Sequence, residues 1–427
     1  MSIRTFTPAL LGLSLLAALP ASAQNLLVRG ATVHTASAQG TLANTDVLVQ
    51  AGRITAIGSN LSAPAGVVVV DAAGKPLTPT LFGGISELGA EEVSGVPDTA
   101  DARLQLGAQS TRPEFDVTLA YNPDSILLPV ARAEGIGFSA LAPSAGGSFV
   151  AGQGGVINLD GYSAPLTGRQ LYISIGGKAS AQSGQSRAAQ WMLLAQMIDE
   201  TRGNIPATSP HALLTPAGRK ALSGFLAGQG RIMVRAERAA DIAQVLSWAG
   251  REKLSIGIVG GAEAWKLAPQ LAQAQVPVFV ETLINLPSSF DQIGARADNA
   301  ALLARDGVAV SFILAGDGAH NARKLRQSAG NAVAHGLPWE TALAGLTSVP
   351  ARALGASAQL GSIAVGQRAD MVLWEGDPLE VANVATHLWL GGIEHALRSR
   401  QTDLRDRYLD PAGSLPRAYL QGATPRR

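Results

Sequence analysis

Between about Thr78 and Ala356 this chain alternates short apolar runs with segments that carry helical periodicity. The runs include Leu81 to Leu88, Ile136 to Leu141, Gly230 to Glu237, Ser255 to Val259, Val276 to Val280 and Val308 to Leu314. Helical spacing marks Ala188 to Arg202, Ala240 to Trp248, Glu263 to Gln273 and Asp298 to Arg305. Repeated strand–helix units of this kind imply parallel strands joined by helical crossovers. Periodicity alone allows an open doubly wound sheet or a closed barrel.

The two ends read differently. Leu26 to Gly30, Asp46 to Gln50, Arg53 to Ile57 and Val67 to Asp71 are strand candidates, and Gly52-Arg53 between two of them predicts a hairpin turn. Short strands return at Gly361 to Trp374 and His387 to Gly391. Ahead of all this, Arg4, the apolar run Ala9 to Leu19, Pro20 and Ala21-Ser22-Ala23 have the layout of a secretory leader cleaved after Ala23. The apolar run is shorter than the roughly 20 residues that a membrane-spanning helix needs, and the rest of the chain offers none of that length. The expectation is therefore an exported protein, in a bacterial periplasm, with no membrane span.

Charge is nearly balanced, 33 basic against 32 acidic residues. With no basic stripe or basic–aromatic alternation, nucleic acid is not an expected partner. Cysteine is absent, which excludes disulfides, a thiol nucleophile and thiolate metal ligands. The sequence leaves the oligomeric state open.

The stretch Leu77-Thr-Pro-Thr-Leu-Phe-Gly-Gly-Ile-Ser-Glu-Leu-Gly89 resembles the first barrel strand of the amidohydrolase superfamily, in the subset similar to imidazolonepropionase. Leu360-Gly-Ser-Ile-Ala-Val-Gly-Gln-Arg-Ala-Asp-Met-Val-Leu-Trp374 resembles that family's closing signature, and Pro129 to Ile136, Ala151 to Gly155, Leu159 to Gly161 and Gly345 to Gly355 echo it. The resemblance implies a (β/α)8 TIM-like barrel over residues 78–356, with irregular units in the glycine-rich Leu141 to Ile175 region. It also implies a small β-sandwich made jointly by residues 24–77 and 357–400, and a tail at 401–427. In function it implies a metal-dependent hydrolase of non-peptide carbon–nitrogen bonds.

The ligand positions depart from that pattern. Where the family carries two histidines on the first strand, two residues apart and so on one face, this chain has Ile85 and Glu87. On the fifth strand Arg235 and Glu237 replace histidines, and on the sixth Gly260 does. Asp317 matches the aspartate of the eighth strand and is the one catalytic candidate. Isoleucine and glycine offer no lone pair, and a permanently charged arginine repels a cation. No metal or other cofactor is expected on this reading, zinc or another divalent ion entering only if the chain is an active hydrolase.

Barrel enzymes place their chemistry at the C-terminal strand ends. The remaining candidates there are Glu87, Arg235, Glu237, Glu263, Glu281, His320 and Arg323. His34, His211, His335, His387 and His395 form no metal-binding pair and read as structural. So does Asp370, an acidic turn residue before a buried strand. No Gly-x-Ser-x-Gly elbow is present.

Three functions stay open: a metal-depleted relative, in effect a pseudoenzyme, that binds a small molecule or partner; an active hydrolase with a non-standard metal or acid–base site; and a structural or interaction protein. On the first, Arg235 is expected to reach into the mouth and pair with Glu87, Glu237 or Asp317, replacing the cation by a side chain. Leu325, Leu343, Leu346 and Leu354 are expected to pack on the barrel, with Arg323 near its mouth.

Overall fold

The computed structural model describes residues 25–104, 111–144, 148–161, 168–180, 182–283, 286–314, 316 and 318–409. The leader at 1–23, Asp317 and residues 410–427 of the tail lie outside the described residues.

Five strands open the chain: β1 (Leu26–His34), β2 (Thr41–Gln50), β3 (Arg53–Gly58), β4 (Val68–Asp71) and β5 (Pro76–Pro79). β1 pairs antiparallel with β2 and parallel with β4 and β5. The β2–β3 turn is the predicted hairpin. Gln50 pairs with Arg53 across two left-handed residues, Ala51 at φ 48° and Gly52 at φ 76°, the two-residue geometry whose twist suits a hairpin.

Eight further strands form a nearly closed barrel sheet: β6 (Leu81–Ser86), β7 (Ile136–Leu141), β8 (Val150–Asn158), β9 (Arg169–Ser174), β10 (Arg231–Ala236), β11 (Ile256–Gly260), β12 (Val278–Val280) and β13 (Val310–Phe312), neighbours in chain order. All are parallel except β8, which runs antiparallel to β7 and β9. The departure from a regular (β/α)8 plan thus falls in the glycine-rich region where irregularity is expected. No described helix separates β7 from β8, and Gly154 permits the return, since a Cβ there would stand 2.1 Å from the Leu141 carbonyl. At the other edge, the backbone N–H of Phe82 in β6 donates to the Leu346 carbonyl at 2.7 Å. A loop thereby satisfies an edge that a paired strand would otherwise cover.

Alternation along the strands sorts the core. Ile136, Leu171, Ile232, Val234, Ile258 and Val278 face the surrounding helices. Phe82, Phe138, Tyr172, Met233, Val259, Phe279 and Ile313 fill the interior, with the Phe82 and Phe138 rings 5.4 Å apart. This is the period-two division of a barrel whose centre is packed rather than hollow. Leu325, Leu343, Leu346 and Leu354 are all buried as expected.

The chain then returns to the first sheet through β14 (Met371–Trp374), β15 (Ala385–Leu390) and β16 (Ile393–Glu394), β14 pairing antiparallel with β5. Both ends therefore meet in one eight-stranded mixed sheet, ordered β16-β15-β14-β5-β1-β2-β3 with β4 beside β1. The fully buried Trp374 ties this sheet to the barrel. The Arg326 guanidinium lies 5.0 Å from its ring centre, while the indole N–H donates within the sheet to Thr78 Oγ1 at 2.9 Å. No helix of the described residues is long and apolar enough to cross a membrane.

Candidate functional site

The mouth lies at the C-terminal ends of β6 to β13, with β8 entering from the reverse direction. Ile85 packs against the interior cluster, and alternation carries Glu87 to the same side. Glu87 is partly buried, and burial pushes its carboxyl above the ordinary range, aided by the charge of Glu91. Its own backbone N–H and the guanidinium groups of Arg103 and Arg235 act against that rise. Glu91 is itself 3% exposed and paired with Arg103 at 3.5 Å.

The short helix Gly318–Asn321 stands over the end of β6, where a Cβ on Gly318 would lie 3.0 Å from that of Ser86. His320 in this helix leaves Nε2 buried without a hydrogen-bond partner. Glu281, one residue past β12 on the Phe279 side, is half-buried. Arg323 is exposed in the turn Ala322–Lys324 and forms no ion pair among the described residues. The neighbouring Arg326 is the buried one. It pairs with Glu134 at 2.9 Å and donates to the carbonyls of Pro378 and Asn383.

Arg235 shares the inward parity of Met233 on β10. Of the ion pairs expected of it, those with Glu87 and Glu237 do not form, since among the described residues no carboxylate oxygen lies within 4.0 Å of its guanidinium; the third expected partner, Asp317, lies outside the described residues. β10 stands four strands from β6 in an eight-stranded sheet, hence across the mouth from Glu87. Glu237 is turned aside to accept the Ala262 backbone N–H at 3.1 Å. In that position its carboxylate covers Gly260, where a Cβ would meet Glu237 Oε1 at 2.2 Å.

Glu263 is likewise committed to the backbone. It accepts the N–H of Ala239, the first residue of helix Ala239–Glu252, at 3.0 Å and that of Gly294 at 2.7 Å, and pairs with Lys266 at 3.0 Å. Burial alone would raise its pKa, but these donors more than offset it and hold the carboxyl below the usual range.

A further cluster joins the loops after β9, β10 and β12. Arg187 bonds both Asp291 and Asp241, the latter at 3.3 Å; Arg238 pairs with Asp241 at 2.7 Å; and the Gly177 N–H donates to Asp291 at 2.7 Å. Nothing in the local spacing of Arg187, Asp241 and Asp291 links them, since they come from helical turns that follow three different strands. Glu91 and Arg103, also absent from the sequence candidates, follow Glu87 closely and were findable as charges just beyond the first barrel strand.

A divalent ion held by histidines and carboxylates needs several donors converging on one point. Among the described residues no group of three or more His, Cys, Asp or Glu does so. Ile85 is apolar, the space beside Gly260 is filled, and Glu237 and Glu263 accept backbone hydrogen bonds. The side chains described at these positions do not fit the metal centre that the family implies.

Fold and mouth together define a TIM-like α/β barrel protein with its charged groups at the C-terminal strand ends. The profile of the Amidohydrolase family matches residues 262–402, and the chain carries a domain of that family. Amidohydrolase tasK of Hapsidospora irregularis is 39% identical over 72 residues, spanning 17% of this chain but only 7% of that protein. Among solved structures, an amidohydrolase from Thermotoga maritima MSB8 superposes with a TM-score of 0.76 at 23% identity, covering 87% of this chain and 100% of that one. A molinate hydrolase aligns at TM-score 0.51 and 14% identity, covering 94% and 99%. A prolidase complexed with N-methylphosphonate-L-proline aligns at 0.51 and 15%, covering 87% and 99%. These structures share the fold, and the superfamily resemblance read from the sequence is the one found.

Proposed function

We propose that this protein is an exported, metal-depleted amidohydrolase relative of the imidazolonepropionase-like subset, whose barrel mouth binds a small molecule. The observation that carries this reading is the Glu237 carboxylate lying over Gly260 and accepting the Ala262 N–H. A position that would present a metal ligand has no side chain, and the nearest carboxylate is committed to the backbone. Ile85 on β6 supports the same conclusion from the facing side of the mouth. The pairing of β5 with β14 supports a composite β-module made jointly by residues 24–77 and 357–400.

Metal analysis of the purified protein, joined to a panel of small amides, lactams and esters, tests this. The reading expects protein without stoichiometric metal, no turnover, and a rise in melting temperature with a bound small molecule. Stoichiometric zinc whose chelation abolishes turnover would overturn it. That result would establish the second reading, a working hydrolase of non-peptide carbon–nitrogen bonds, which the Amidohydrolase family match over 262–402 favours. Under that reading Glu87, with its raised pKa, is the residue suited to act as an acid.

A further inference from the structure

The last described helix, Arg400–Leu409, buries none of its residues. It is tied on at its start, where the Ser399 carbonyl accepts the Asp403 N–H at 3.0 Å and the Thr402 hydroxyl at 2.7 Å. Arg398, just before it, reaches forward to Asp403 at 2.7 Å and Asp406 at 2.9 Å. Successive residues turn by about 100° around a helix. Within 401–409 the half-buried Thr402 and Asp406 therefore mark the sheltered side, and Leu404 falls almost opposite them, with Tyr408 beside it one turn on. Leu404 is 40% and Tyr408 49% exposed. Arg400 and Arg407 flank this ridge on one side and Arg405 on the other, all three exposed. Arg405 pairs with Asp406 at 2.7 Å, whereas Arg400 and Arg407 have no carboxylate oxygen within 4.0 Å among the described residues. Asp403 and Asp406, the acidic groups of the helix, lie toward the back, held by Arg398. Leu409 ends the helix off the ridge, and Asp410 lies outside the described residues. An apolar ridge rimmed by guanidinium groups thus faces outward.

We infer that this face rests on an anionic lipid bilayer, its guanidinium groups at the headgroup phosphates and Leu404 and Tyr408 entering the acyl boundary. A helix with this division of charge and apolar surface lies in the plane of the interface. At 10 residues it is about 15 Å long, half the thickness of the hydrocarbon core, so it lies on the membrane and does not span it. The charge pattern selects this occupant. Arginine takes phosphate through paired hydrogen bonds, and it keeps its head at the phosphates while its stem covers apolar surface. Tyrosine, apolar in its ring and polar at its tip, suits the same boundary. A second copy fits poorly, because a self-complementary contact would set the guanidinium groups of one ridge against those of the other. This contact is independent of the barrel mouth and goes beyond the function proposed for it.

Flotation of the full chain with vesicles tests this, using phosphatidylglycerol and phosphatidylcholine in equal parts against phosphatidylcholine alone. The protein is expected to float with the anionic vesicles at low salt, to stay behind with the neutral ones, and to be released as salt screens the arginines. A basic residue at an anionic surface contributes about five-fold to partitioning, so Arg400→Gln with Arg407→Gln should weaken binding by about 25-fold. Leu404→Ser with Tyr408→Ser should weaken it by at least about 10-fold through the lost apolar contact. Neither pair should shift the melting temperature, since the helix buries no residue. Absence of flotation with the anionic vesicles at low salt would overturn the inference, as would binding that both pairs leave intact. Loss on Arg417→Gln, Arg426→Gln and Arg427→Gln together, with the helix variants unaffected, would overturn it by moving the contact to the tail. Self-association in sedimentation velocity that Leu404→Ser abolishes, without lipid binding, would assign the ridge to a second copy instead.

Discussion

Placing a side chain at residue 260 tests whether Glu237 occupies the strand-end space that a ligand would need. Gly260 has φ +94°, a backbone region that L side chains rarely adopt, so Gly260→Ala carries a conformational cost of about 1–2 kcal/mol. The new Cβ would also lie 2.2 Å from Glu237 Oε1 and 2.6 Å from its Cδ. A flexible carboxylate can swing clear, but it then gives up the Ala262 N–H, worth about 1 kcal/mol. The expected total is about 2–3 kcal/mol. Glu237→Ala alone should cost about 1 kcal/mol through the same hydrogen bond. In the double variant the clash is gone and that bond is already lost, so only the backbone strain is added. The cycle should therefore close with a coupling of about 1 kcal/mol. Urea unfolding of the four proteins, followed by far-ultraviolet circular dichroism, measures each term. A Gly260→Ala cost below about 1 kcal/mol, or strictly additive variants, would refute the placement of Glu237 over this position.

Arg326→Ala should destabilise the protein by about 3–4 kcal/mol, because it strands Glu134 and empties the contact with Trp374, whereas Arg323→Ala should change stability by less than about 0.5 kcal/mol; similar denaturation midpoints for the two would contradict this. Burial pushes the Asp370 carboxyl from its ordinary 3.8 up to about 6, against the opposing effects of Arg368 and the Gly391 N–H. The folded state thus holds this proton more tightly than the unfolded chain, and the stabilisation, about 3 kcal/mol, is complete below pH 3.8 and lost as pH rises through 6. Subtracting the pH dependence of Asp370→Asn from that of the parent between pH 4 and 8 isolates this contribution, and a flat difference would disprove it.

Much of the framework was legible in the chain because its signals are local. Apolar runs with period two and helices with period 3.6 set strand and helix positions within a few residues, as at Ile136 to Leu141. The glycines at 152, 154 and 155 marked the one irregular unit, although the reversal of β8 depended on how it packs between β7 and β9. Ile85 and Gly260 stand where the resemblance expects histidines, and by identity alone neither offers a donor. Alternation likewise put Arg235 and Glu87 on the inner side. What it could not provide was distance around the barrel. Whether those two charges touch depends on where their strands stand once the sheet curls, and the pair expected between Arg235 and Glu87 does not form. The same limit hid the Arg187 cluster, whose members follow three different strands, and favoured Arg323 over Arg326 as the arginine to watch. Sequence determined which groups each strand end offers. Tertiary structure decided which of them meet: Glu237 is committed to a neighbouring backbone amide, while Arg235 and Glu87 remain apart across the mouth.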